Sequence, residues 1–342
     1  MWPTPGSPAS KWGGQQRAAI EILKRLPAIG RIAPTRPLSG IKAHLWEQTV
    51  LPARTLGNVL WSPSATGPIT KANQVVTLHD VAFLDLPEFF SNSFVTLYQN
   101  LLPVLVRRAI RVVTVSEFSR ARIAETLNVA PERIEIIGNG VSTHFRPYPD
   151  ADIEATRMAL SLPKKYVLLQ ATADKRKNLI RSLQAWALAQ KQLPEDIHLV
   201  VSGNPDRSHV FGTLNQLPVV PRTNFIGYVE ESQIGPLLAG ATAFLFPSLY
   251  EGFGIPIIEA MSCRTPVLTS AATATQEIAG EAALLVDPYS VEDIAAGIVR
   301  LVEDEDFRAE LVNKGSQVAG QHRWDDVAAK YKALFSSIGA NL

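Results

Sequence analysis

Ser248-Leu249-Tyr250-Glu251-Gly252-Phe253-Gly254-Ile255-Pro256-Ile257-Ile258-Glu259-Ala260-Met261 carries more chemistry than any other stretch of this chain. Just before it, Ala243-Phe244-Leu245-Phe246-Pro247 reads as a short buried strand. A carboxylate follows, then a loop with glycine on either side of Phe253, then a helix with Pro256 expected at its first position. Proline suits that position because its missing N–H would be an orphan donor there anyway. Such a loop offers free backbone N–H groups and the positive end of a helix dipole to whatever lies above the strand ends. Phosphate is the usual occupant. Glu259, one turn in, can accept hydrogen bonds from hydroxyls beside that phosphate, and Glu251 on the loop can hold a sugar. Phosphate, ribose and sugar side by side point to a nucleotide-sugar. A solvated helix end with a glycine turn is the plainer alternative for a lone Gly-x-Gly.

The 342 residues suit two domains. With 46% hydrophobic and 19% charged residues the chain is globular and not disordered. No apolar run approaches the ~20 residues that span a bilayer. The opening Met-Trp-Pro-Thr-Pro-Gly-Ser-Pro lacks the apolar core of a signal peptide. Cys263, the single cysteine, excludes an internal disulfide framework and agrees with a reducing cytoplasm. The six histidines show no metal-ligand spacing, so no metal is expected. Net charge is +1, but residues 1–145 carry 15 Lys+Arg against 9 Asp+Glu, and the remainder is net acidic. A basic first half suits an anionic acceptor or an anionic membrane face.

Short apolar runs alternate with helical patterns throughout, which implies parallel sheets with crossover helices. Strands are expected at 58–61, 74–78, 111–115 and 134–137, then at 166–170, 198–202, 224–226, 243–246, 266–269 and 283–286. Helical patterns fall at 15–25, 94–109, 119–127, 179–190, 231–240, 291–303 and 306–318, with Ser119 a plausible cap for the third. Gly, Pro and polar residues cluster from Asn139 to Pro149 and place a domain break there.

The 248–261 run resembles the E-x7-E signature, with its EGFG core, of retaining glycosyltransferases of family 4. Other segments match in order. Ala171-Thr172-Ala173-Asp174-Lys175-Arg176-Lys177-Asn178 resembles the family's Gly-Thr-x-x-Pro-Arg-Lys-Asn, Asn224-Phe225-Ile226-Gly227-Tyr228-Val229 its F-x-G-Y-V turn, and Thr77-Leu78-His79-Asp80 its T-x-H-D. Val115-Ser116-Glu117-Phe118-Ser119-Arg120 matches V-S-E-F-S-R, and Gly13-Gly14 occupies the place of the glycine loop on the acceptor side. The resemblance implies an α/β GT-B fold, two Rossmann-like doubly wound domains facing across a cleft. An acceptor-side domain would cover 1–145, a donor domain 146–323, and a final helix over 324–342 would pack back on the first.

It implies a hexosyltransferase, with mannose among the candidate sugars, that moves sugar from a nucleoside diphosphate to a saccharide or lipid-linked saccharide in cell-surface polysaccharide synthesis. Arg176 and Lys177 would stabilise the leaving group, Glu251 and His79 would orient the sugar, and Glu259 would hold ribose. Thr172, Gly227, Tyr228, Gly252, Phe253, Gly254 and Ile255 would line the donor. No cofactor beyond the donor is implied and no nucleic-acid partner. The setting would be cytoplasmic, peripheral at the inner face of a membrane, with Arg107, Arg108 and Arg111 after the apolar 101–106 run able to touch anionic lipid or a lipid-diphosphate acceptor.

The chain departs from the family at Ala171, Lys175 and Gln276, and at Arg264, which stands for a glycine after the Glu259 helix. If Arg264 is left-handed the exchange costs about 1 kcal/mol. No apolar strand precedes Gly13, where the family has one central to the first sheet. Either Met1 is a misplaced start or 29–33 takes that role, and an unfilled central place would leave backbone groups unpaired. These departures favour the rival from another class, a non-catalytic GT-B-like subunit that binds nucleotide or partner without turnover. A dinucleotide-dependent oxidoreductase would need a Gly-x-Gly-x-x-Gly between strand and helix, which the chain lacks.

Overall fold

The computed structural model describes residues 14–340 apart from 37, 39, 172–173 and 204–218. The chain forms two units. One runs to Gly140 and takes in the chain again from Arg323, and the other is Val141–His322.

The first unit begins with α1 (Gly14–Arg25) and α2 (Gly40–Arg54), followed by β1 (Leu60–Ser62) and β2 (Gln74–Thr77). Then come α3 (Ala82–Asp85), α4 (Asn92–Arg108), β3 (Arg111–Thr114), α5 (Glu117–Leu127) and β4 (Ile134–Ile136). The four strands pair in parallel in the order β1-β2-β3-β4. All four residues of β2 are buried, as expected of a strand covered by helices on both faces. α4 buries Val95, Tyr98, Leu102, Leu105 and Val106, a helical spacing that turns one side to the sheet. α5 is capped by Ser116, whose Oγ accepts from the N–H of Ser119 at 3.1 Å. The cap is therefore Ser116, not Ser119, because the side-chain oxygen must precede the N–H that it satisfies.

Among the described residues no gap opens in this sheet. β2 pairs with β1 on one side and β3 on the other, so the central vacancy expected from the sequence does not arise. Residues 29–33 do not stand in for a strand. They are irregular and mostly exposed, interrupted by Gly30 and closed by Pro34, which has no N–H to give a ladder.

The second unit contains α6 (Asp150–Ala159), β5 (Lys165–Gln170), α7 (Leu179–Ala189), β6 (Ile197–Ser202), β7 (Thr223–Gly227), α8 (Glu231–Ala239) and β8 (Ala243–Phe246). It continues with α9 (Ile255–Ser262), β9 (Val267–Ser270), α10 (Thr273–Ala279), β10 (Leu284–Val286), α11 (Val291–Glu303) and α12 (Glu305–Gly320). Its six parallel strands run β10-β9-β8-β5-β6-β7. One core layer packs Trp186, Leu183 and Ile298 against one face, and another packs Phe244, Phe246 and Ile257 against the other. The strand order reverses between β5 and β8, each of which has its next neighbour on the opposite side. Ligands of open α/β sheets bind outside the carboxyl ends of the strands at such a reversal.

The last helix, α13 (Trp324–Ser337), belongs to the first unit. Trp324, Val327, Tyr331 and Phe335 share a core with Ala18 and Ile22 of α1 and with Val75 and Val113 of the sheet. A Cβ at Gly140 would lie 2.5 Å from the backbone nitrogen of Trp324, so only glycine allows this close approach.

Candidate active site

The loop after β5 and the loop after β8 leave the sheet of the second unit side by side, and each carries residues singled out by the sequence. After β5, Lys175–Lys177 form a single 3-10 turn, with Asp174 as its cap and left-handed Asn178 (φ 57°) as its end. The Asn178 side-chain amide donates to the carbonyls of Pro247 (2.9 Å) and Pro288 (2.7 Å) and is fully buried. The Leu249 N–H donates to the carbonyl of Arg176 at 2.7 Å. The bonds to Pro247 and from Leu249 fix the basic turn against the Glu251 loop, and the bond to Pro288 ties it to the loop after β10.

Across that seam Lys177 Nζ donates to Glu251 Oε1 at 2.7 Å. The ammonium also lies 4.6 Å from the centroid of Phe246, a cation–π distance. Lys177 and Glu251 are 21% and 15% exposed, so the pair is largely withdrawn from water. Arg176 is held within its own turn. Its Nε lies 3.1 and 3.0 Å from the Asp174 carboxylate oxygens, and one terminal nitrogen is 2.5 Å away. Burial opposes ionisation of Asp174, but the hydrogen bonds and charge of Arg176 hold its carboxyl below the usual range.

Gly254 has φ 99°, a conformation open to glycine, and introduces α9 with no side-chain cap. Ile255 is the first helical residue and Pro256 the second, one place later than the sequence suggested. Pro256 has no N–H and the Ile257 N–H donates to the Gly254 carbonyl at 2.9 Å, so what the uncapped first turn presents to an anion is the positive end of the helix dipole. Glu259, the fifth residue of α9, is buried at 7% exposure. Phe253 is buried and meets the ring of His322 edge-on at 5.5 Å. The Ser248 hydroxyl is buried without a hydrogen-bond partner. Arg264 is left-handed (φ 62°) where the family has glycine.

Gly227 and Tyr228 stand apart from these contacts, at the end of edge strand β7. Two strands separate β7 from β8, which puts them about 15 Å from the Glu251 loop, a span suited to a nucleoside and its diphosphate. Gly227 is left-handed (φ 70°) and Tyr228 is exposed. Thr172 and Gly13 lie outside the described residues, and Gly14 is the exposed first residue of α1.

In the first unit His79 follows β2 and is 8% exposed, beside a cavity of about 10 Å³ that Asn139 and Tyr331 also line. Burial lowers its pKa to about 4, only partly opposed by a hydrogen bond to the backbone of Pro63. His79 is therefore a neutral imidazole at pH 7.

The sequence assigned no role to Asp174, Asn178 or Phe246. An Asp two residues before an Arg, and an Asn at a turn end where left-handed backbone is tolerated, were signals available for the first two. Which face Phe246 takes depends on strand pairing.

Glycosyl transferases group 1 matches residues 152–318, and Glycosyltransferase Family 4 matches residues 56–145. O-antigen chain mannosyltransferase B of Escherichia coli is 32% identical over 271 residues, 76% of this chain and 70% of that protein. The chain belongs to glycosyltransferase family 4. It is a glycosyltransferase. The serotype-specific mannosyltransferase WbdA of Escherichia coli is 26% identical over 312 residues, 88% of this chain but only 36% of that longer protein. Among solved structures, Anabaena Alr3699/HepE in complex with UDP and glucose superposes with a TM-score of 0.77 at 20% identity, over 97% of this chain and 98% of the other. That likeness speaks for the fold, which is GT-B. No helix among the described residues is long and apolar enough to cross a membrane.

Proposed function

We propose that this glycosyltransferase is retaining and moves a hexose, mannose in the first instance, from a nucleoside diphosphate to a hydroxyl of a saccharide or lipid-linked saccharide of a cell-surface polysaccharide. The observation that carries the reading is the 2.7 Å contact between Lys177 and Glu251 at the strand-order reversal, next to the open first turn of α9. Mannose is favoured by the mannosyltransferases among the relatives.

In this scheme the donor diphosphate takes Lys177 from Glu251 and receives N–H groups of the Gly252–Ile255 turn. Glu251, released, accepts hydrogen bonds from the sugar. Glu259 holds ribose, and neutral His79 is a hydrogen-bond partner for a sugar hydroxyl. The bond from the anomeric carbon to the phosphate oxygen breaks, and the electron pair leaves with the diphosphate. The acceptor oxygen bonds to that carbon on the same face, and its proton passes to the departing phosphate, so no separate base is required. Lys177 and Arg176 stabilise charge that grows only as the bond breaks, which is the stabilisation that raises kcat. We propose that no resident metal takes part and that the protein acts at the inner face of a membrane.

The test is release of nucleoside diphosphate from GDP-, UDP-, dTDP- and ADP-sugars, a GDP-mannose donor included, with and without EDTA. Turnover of one donor, unchanged by EDTA, is the expected result. Failure of every donor to turn over, with nucleotide still raising the melting temperature, would leave a binding scaffold instead.

A further inference from the structure

The loop that leaves β1 makes contacts at two places. His79, just past β2, bonds the backbone of Pro63 at the start of that loop. Three residues on, the Thr66 hydroxyl donates to the Glu47 carboxylate of α2 at 2.8 Å. Gln48 holds the same loop, donating to the Gly67 carbonyl and accepting from the Ile69 N–H, both at 2.9 Å. Three residues of chain span at most about 10 Å, so α2 brings Glu47 to the His79 end of the sheet.

A cluster of rings stands beside Glu47. Burial first, and then the negative charge of Glu47, push the Tyr98 hydroxyl above its usual range, so the carboxylate and α4 lie close together. His44, one turn before Glu47, meets the Tyr98 ring edge-on at 6.5 Å. Tyr98 lies 4.5 Å from Phe94, Phe90 lies nearly parallel to Phe94 at 5.9 Å, and Phe83 meets Phe94 edge-on at 5.5 Å. These neighbours fix the plane of the Phe94 ring without covering it, for Phe94 is 38% exposed. A ring held in place before a ligand arrives loses little freedom on binding.

The polar groups select the ligand. Glu47 has no ion-pair partner among the described residues, and it accepts from Thr66 and Gln48 with acceptor positions to spare. An unneutralised carboxylate repels phosphates and other anions. A pyranose suits both neighbours, since the C–H groups of one face pack on an aromatic ring while hydroxyls at its rim donate to a carboxylate. We propose that His44, Glu47, Phe94 and Tyr98 form a subsite for an inner ring of a neutral saccharide acceptor whose terminal ring lies at His79. The inference rests on the saccharide-transfer reading above and adds that the acceptor is recognised over more than one ring.

Ligand-observed NMR titration of the full chain with methyl α-mannoside and with α-mannotriosides of each linkage tests it. The protein should bind at least one trisaccharide about tenfold or more tightly than the monosaccharide. Phe94→Leu, which keeps an apolar side chain but no ring face, and Glu47→Gln should each remove about tenfold of that advantage. Phe94→Trp should retain it, whereas a ring needed only for packing would tolerate leucine better than the larger tryptophan. Equal affinity for one ring and three, no binding of any saccharide, or an advantage untouched in Phe94→Leu and Glu47→Gln would overturn the proposal. So would a dimer abolished by Phe94→Asp without saccharide binding. Length-dependent binding without turnover of any donor would strike the functional reading alone.

Discussion

Lys177→Ala removes the cation that pairs with Glu251, and its cost can be worked out. Nζ is 2.7 Å from Glu251 Oε1 and 4.6 Å from the Phe246 centroid, in a largely buried setting. Two unit charges about 4 Å apart interact by about 4 kcal/mol at an effective dielectric constant of about 20. A sugar–phosphate bond that breaks adds roughly one unit of negative charge to the leaving diphosphate. A cation at that range therefore favours the transition state by up to about 4 kcal/mol beyond the ground state, in line with the loss of about 100- to 1,000-fold when a fixed oxyanion donor is deleted. We expect kcat/KM to fall at least about 100-fold, mostly in kcat and less in donor KM. Lys177→Arg should lose less, about tenfold, because it keeps the charge but not the compact ammonium. Removal of Nζ also leaves Glu251 without its counter-ion, so thermal unfolding must first establish that each variant is folded at the assay temperature. Steady-state release of nucleoside diphosphate at varied donor is the assay. Lys177→Ala enzyme with kcat/KM within about threefold of the parent would refute the leaving-group role.

Two further outcomes concern stability. His79 has a folded pKa of about 4 against about 6.5 unfolded, so between those values the unfolded chain binds the extra proton and stability rises with pH. From pH 7 to pH 5 this histidine should cost about 2 kcal/mol, measured by urea unfolding, and His79→Gln should remove that part of the slope. Arg264 is exposed and left-handed, so Arg264→Gly should raise stability by about 1 kcal/mol in the same assay, and a decrease would count against backbone strain there.

The strands were legible because parallel, doubly covered strands are short apolar runs, and all ten lie within two residues of their expected limits. Four helices were not. α2 buries no residue and contains Pro52, and α6 buries only Thr156, so neither has the apolar stripe on which sequence reading depends. α2 is held instead by polar bonds. Gln48 donates to the Gly67 carbonyl and accepts from the Ile69 N–H, and Glu47 accepts from Thr66. α3, with four residues, and α10, with seven, are too short to show a period. The expected hole in the first sheet failed for a different reason. A sequence gives the strands but not their neighbours, and here β2 closes directly on β1 and β3. In the site, 74 residues separate Lys177 from Glu251, and only the β5–β8 pairing makes them adjacent.

Two of the three cations of the turn after β5, Arg176 and Lys177, already carry a carboxylate, and the two pairs differ in a way that suits them to different work. Arg176 and Asp174 belong to one turn, and the same carboxylate caps the backbone of that turn at 3.0 Å, so breaking the pair would also unmake the turn. Lys177 and Glu251 belong to separate loops, and no backbone bond depends on their contact. A buried pair that loses one partner is costly, but a pair that trades one anion for another is not. An arriving diphosphate can take Lys177 from Glu251 without leaving either charge bare, provided that the sugar's hydroxyls arrive with it to satisfy Glu251. A free nucleotide brings the phosphates but not those hydroxyls. On the proposed donor site the exchange would therefore favour a whole nucleotide-sugar over its spent product, and the preference would come from the Lys177–Glu251 pair rather than from Arg176.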